Sequence, residues 1–164
     1  MDHIKNSLHK LHSAALMIGF AKNSSGKDEE IRLYRQSALV FLKLALQAYL
    51  LELSDHYAAS FHTEQITLET LSEHLEKHRI PSPELKELLA LKSDVHSWLA
   101  RLEQSYKDFF FQSYPEPSNQ SPLLAFKTTT ESEFNQHLSI QELENWHQAL
   151  NDIAARHRQQ LLEW

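Results

Sequence analysis

Asp28–Tyr57, DEEIRLYRQSALVFLKLALQAYLLELSDHY, is the stretch whose reading decides the fold. At roughly 100° per residue, Arg32, Gln36, Lys43, Gln47 and Ser54 fall on one narrow strip, while Leu33, Tyr34, Ala38, Phe41, Leu42, Ala45, Ala48, Tyr49 and Leu53 spread over the rest. A helix apolar over that much of its circumference must be enclosed by other helices. The spacing predicts the long central helix, about 28–57, of an all-α bundle.

Working outward, the 164 residues suit one helical-bundle domain, 1–164, of five or six helices. Gly is nearly absent (2 residues), while Ala, Leu, Glu, Gln and Lys dominate, which favours helix and offers little hairpin chemistry. Cys is absent, removing disulfides, thiolate metal sites and a cysteine nucleophile. The net charge of −6 gives no global attraction to nucleic acid or to an anionic membrane surface. Lys43, Gln47 and Glu52 interrupt the most apolar segment, well short of the ~20 residues that span a bilayer. The N-terminal MDHIKNSLHKLHSAALMIGF lacks the continuous apolar run of a signal peptide. The expectations are a cytoplasmic chain with no nucleic-acid partner, no membrane partner and no cofactor.

Before the central helix, Asp2–Lys22 reads as a helix with Ile4, Leu8, Leu11, Ala15 and Ile18 along one face, and the short Asn23–Gly26 break makes it an antiparallel neighbour. After it come a shorter helix over Leu68–His78 and a helix from Pro83 to about Leu91, started by Ser82-Pro83-Glu84, with Ser82 as cap, Pro83 at the first helical position and Glu84 in the first turn. A long amphipathic helix follows, from a cap at Ser93–Asp94 through Val95, Trp98 and Leu102 to about Gln112. Three prolines and many Ser, Thr and Asn residues mark 113–133 as a loop. Ser139 and Glu142 then form a capping box for a last helix striped by Trp146, Leu150, Ile153, His157, Leu161 and Trp164.

Two residues do not suit the faces they occupy. Glu52 lies within the apolar arc of the central helix, with His56 one turn later, and a carboxylate there must be paired, protonated or near an opening. His157 is centred on the apolar stripe of the last helix. These three are the candidate ligand-binding residues, weighed against the plainer reading of a hydrogen-bonded structural carboxylate and a satisfied core histidine. Arg156 and Arg158, which flank His157, read most simply as complements to the helix dipole.

Eleven histidines call for a metal test. His9 with His12, and His74 with His78, each share a helix face and could hold an adventitious divalent ion. HLEKH lacks the Glu immediately after the first His that a metalloprotease helix requires. ENWH is the only Glu-x-x-His, so a ferritin-like di-iron set is missing. Glycine-rich phosphate loops and Gly-x-Ser-x-Gly are missing too.

SPELKELLALKSDVHSWLARLEQSYKDFF (82–110), ENWHQALNDIAARHRQQLLEW (144–164) and LYRQSALVFLKLALQAYL (33–50) resemble a family of small, all-helical bacterial proteins of unknown function. The likeness covers most of the chain and is carried by Pro-Glu-Leu, Trp-Leu and a terminal Leu-Glu-Trp. It implies a compact cytoplasmic helical domain with no assigned activity, and it transfers no functional residue.

The reading that follows is a protein-interaction or ligand-binding module without catalytic activity. Phe111, Tyr114 and Phe126 are candidates for docking a partner, with a homodimer the favoured arrangement. The alternative is a small-ligand enzyme or hydrolase with a pocket around Glu52, His56 and His157.

Overall fold

Three carboxylates, Asp28, Glu29 and Glu30, occupy the first turn of the helix that organises the chain, where its dipole favours negative charge. In a computed structural model, which describes residues 2–26, 28–59, 61, 66–111 and 138–162, this helix is α2 (Asp28–His56). Around it lie α1 (His3–Asn23), α3 (Leu68–Lys77), α4 (Pro83–Ser93), α5 (Trp98–Phe111) and α6 (Ile140–Leu162). Among the described residues there is no strand, and the all-α bundle stands. Helix α2 packs against α1, α3, α5 and α6, as its apolar circumference requires. By length and mean hydropathy α2 would also pass for a membrane span, although 61% of its most apolar window is buried inside the bundle. The 113–133 segment lies outside the described residues.

The core forms two clusters along α2. One gathers Leu39 and Leu42 with Leu102, Leu143 and Trp146; the other gathers Leu46, Tyr49 and Leu53 with Leu71, Leu88, Leu99 and Leu150. The second cluster surrounds α2 so completely that every residue from Ala48 to Ser54 is buried. Ser54 therefore departs from the expected polar strip: its hydroxyl donates to the Leu51 carbonyl at 2.8 Å and needs no water. Leu33, expected inside, is 59% exposed.

Helix α1 corrects the expected face. It buries Ser7, Leu11, Ala14, Ile18 and Ala21, and leaves Ile4 and Leu8 nearly half exposed. Small side chains at three of those positions let α1 lie close against α2, so the larger Ile4 and Leu8 are turned away, with Ala15. At the other correction, α5 begins at Trp98 rather than Val95, which is 73% exposed. Asp94 accepts from the His96 amide at 2.9 Å, and Ser97 accepts from the Ala100 amide at 3.1 Å, so a tight turn separates α4 from α5.

The ends of the remaining helices follow their sequence signals. Ser82 caps α4 and Ser139 exchanges hydrogen bonds with Glu142 at the start of α6, each at 3.1 Å. Helix α3 is capped by Thr67, which exchanges bonds with Thr70. Helices α2 and α3 end in the left-handed region at Ala58 (φ 52°) and Arg79 (φ 57°), with Ala59 and Ile80 amides returning to Ser54 and Leu75 carbonyls.

Candidate functional site

The last two turns of α2 bring Glu52 to the edge of the core, and the matching turns of α6 bring a cation to it. Arg158 Nε lies 2.5 Å from Glu52 Oε1, and its Nη2 donates to Oε2 at 2.9 Å. The same nitrogen donates to Ser7 Oγ on α1 at 2.8 Å, and Ser7 Oγ stands 3.1 Å from Glu52 Oε2. A carboxylate only 9% exposed is thus paired and hydrogen-bonded on both oxygens, the condition under which a buried charge is tolerated. The hydrogen bond to Glu52 pushes the Arg158 guanidinium above its ordinary range, so it stays charged.

This pair floors a cleft of about 420 Å³ between the start of α1 and the ends of α2 and α6. Asp2, His3, Asp55 and His56 line it on the polar side, Ile4, Leu161 and Leu162 on the apolar side. His3 Nε2 is 3.5 Å from Asp55 Oδ2, and His3 Nδ1 is buried without a hydrogen-bond partner. His56 is exposed, its ring edge-on to Tyr57. Glu52 and His56 therefore share one opening.

His157 is not among the residues lining that cleft. It is 1% exposed, with the Tyr49 hydroxyl on Nδ1 and Glu87 Oε2 3.0 Å from Nε2. A ring that donates from Nε2 to Glu87 and accepts the Tyr49 hydroxyl at Nδ1 satisfies all three groups. Arg156 closes the chain with two bonds to Glu87, at 2.5 and 3.0 Å. The Arg156 hydrogen bond is the main reason Glu87 is held down at about 2. Burial pushes the Tyr49 hydroxyl far above its usual range, with the Glu52 charge adding to it, so it acts here as a hydrogen-bond donor and not as an ionisable group. Thus Arg156 and Arg158 do more than complement a dipole, because each meets a carboxylate on another helix.

Sequence reasoning missed a second buried carboxylate. Glu84, 4% exposed in the first turn of α4, receives the Tyr57 hydroxyl and lies 3.3 Å from Ser82 Oγ. Burial first, and then the Glu84 contact, push the Tyr57 hydroxyl up to about 12. The Ser-Pro-Glu start signal explained Glu84 as a first-turn residue, leaving no local mark of burial. Glu103 of α5 is also bridged, by Lys43 of α2 at 2.8 Å and Lys92 of α4 at 2.9 Å. Burial works to raise Glu103, but the two lysines outweigh it and its carboxyl is lowered.

The His74 and His78 rings stack at 4.4 Å between centroids, and His78 Nδ1 is 2.8 Å from the His74 carbonyl. No group of three His, Asp or Glu among the described residues is placed to hold a metal ion. The Phe111 side chain, Tyr114 and Phe126 lie outside the described residues.

Compared with known proteins, residues 1–164 match the profile described as Family of unknown function (DUF6586). No curated protein and no solved structure matches the chain.

Proposed function

The chain belongs to Family of unknown function (DUF6586), and from its geometry we propose that it is a ligand-binding module without catalytic activity, its site the cleft over the Glu52–Arg158 pair. The observation that carries this reading is the meeting of an apolar wall, Ile4, Leu161 and Leu162, with polar groups around one cavity of about 420 Å³. An apolar recess with a few convergent polar groups is the usual form of a small-molecule site.

The charge of the rim selects the ligand. Glu52 is neutralised by Arg158, and Asp2 by Lys5 at 2.9 Å, while Asp55, 60% exposed at its side chain, has His3 as its neighbour. A small organic cation with a short apolar tail matches that balance, its head at Asp55 and its tail along Leu161 and Leu162.

A hydrolase would draw on Glu52 and His56, which share the cleft. Against it, both Glu52 oxygens are already engaged by the Arg158 guanidinium instead of facing a substrate. Titration with hexylammonium, followed by amide NMR, tests the binding reading. Saturable shifts at His3, Asp55, His56 and Leu162, weakened by Asp55→Asn, are expected. Scattered or non-saturating shifts refute it, and ester hydrolysis abolished by His56→Ala would favour the enzyme.

A further inference from the structure

The turn from α3 to α4 frames a groove of about 390 Å³ that shares no lining residue with the cleft over Glu52 and Arg158. Its floor is apolar. Leu75 and Leu85 are each 2% exposed, and Ile80 and Leu89 pack on the same core cluster from the groove side. Arg79, in the left-handed conformation, ends α3, and the Ile80 amide returns to the Leu75 carbonyl at 2.9 Å, which sets Ile80 and Pro81 at the groove.

The rim is positive, in a chain whose net charge is −6. Arg79, Lys86 and Glu76 are its charged residues. Glu76 accepts the Ser72 hydroxyl at 3.1 Å, whereas none of the ion pairs among the described residues uses Arg79 or Lys86, both of which are exposed. Elsewhere in the bundle Lys43, Lys92, Arg101, Arg156 and Arg158 each meet a carboxylate on another helix. The remaining carboxylates of α4 do not serve the groove either, since Glu84 receives the Tyr57 hydroxyl and Glu87 holds Arg156 and His157. Two uncommitted cations therefore border one apolar recess, opposite in sign to the first cleft.

We propose that this groove is a second ligand site, for a medium-chain aliphatic carboxylate. The tail lies along Leu75, Leu85 and Leu89, and the carboxylate is held by Arg79 and Lys86. With Glu76 also on the rim, the balance of one positive charge suits a monoanion. Ion pairs between exposed groups contribute little by themselves, so the buried tail supplies the affinity and the cations select the sign of the head.

Octanoate titrated into the full chain, followed by calorimetry and amide NMR, tests this. Saturable binding is expected, with shifts confined to residues 72–89 and none at His3, Asp55 or Leu162. Each methylene removed from the acid should weaken binding roughly fourfold. Lys86→Gln and Arg79→Gly should each weaken it about tenfold with an unchanged helical circular dichroism spectrum; glycine suits the left-handed backbone at 79, so lost folding does not stand in for lost binding. Octylammonium that shifts the same amides as strongly overturns the proposal, because the tail alone would then be responsible. So does an octanoate titration without saturation below about 10 mM, or an affinity that both substitutions leave unchanged.

Discussion

Glu52 and Arg158, 106 residues apart in sequence, close on each other through two hydrogen bonds at 2.5 and 2.9 Å. The contact joins α2 to α6, and Ser7 extends it to α1. A pair this enclosed is costly to break from one side, because the survivor keeps its charge without its partner. Arg158→Met should therefore destabilise by about 3 kcal/mol. Adding Glu52→Gln should recover a large part of that loss, and Glu52→Gln alone should cost less, since Arg158 reaches toward the cleft. Urea melts of the four members of this cycle measure the coupling; additive losses would mean that the two residues are independent.

The Tyr49–His157 contact predicts a different non-additivity. Tyr49→Phe leaves the ring nitrogen unpaired and should cost about 1 kcal/mol, and His157→Leu strands a buried hydroxyl and should cost about 2 kcal/mol. Together they remove both polar groups, so the double variant should be less damaged than the sum. A double variant worse than the sum would count against this pairing.

How much of this was legible in the sequence differs residue by residue. Glu52 and His157 stood out because each interrupts an apolar face on its own helix, and local periodicity reads that directly. Their partners did not stand out, since which turn of α6 meets which turn of α2 is a tertiary matter, and Arg158 by itself looks like any basic residue near a helix end. The α1 face was misread because its packing is decided by Ser7, Ala14 and Ala21, whose smallness permits contact, while the eye follows the larger Leu8 and Ile4. Glu84 was hidden by a sound local explanation, its place in a first helical turn.

Acid should act on the Glu87–Arg156 contact. The folded carboxyl is depressed to about 2, chiefly by the Arg156 hydrogen bond, from an ordinary value of 4.5. A depressed carboxylate adds stability above its unfolded pKa and loses it as pH falls through the folded one, so the contribution fades between about 4.5 and 2. With the Glu87 side chain 39% exposed, solvent screening limits the effect to the order of 1 kcal/mol. Side-chain carbon NMR titration should find Glu87 near its ordinary value in Arg156→Ala, and an unchanged titration would remove Arg156 as the cause.

Two helix ends carry non-glycine residues where glycine is favoured. Ala58 (φ 52°) and Arg79 (φ 57°) both sit in the left-handed region, which costs a residue with a Cβ about 1 kcal/mol. Ala58→Gly and Arg79→Gly should each raise stability by roughly 0.5–1 kcal/mol, seen as a higher urea midpoint with an unchanged slope. A lower midpoint would show that the side chains contribute more than the strain costs.

Arg156, His157 and Arg158 are consecutive, and between them they reach Glu87 on α4, Tyr49 and Glu52 on α2, and Ser7 on α1. During synthesis those four partners emerge long before the tripeptide that engages them, so Glu52 must wait in water until residue 158 is made. Docking of α6 should then be the late, slow event of folding, with the earlier helices collapsing into an open intermediate whose carboxylates are still solvated.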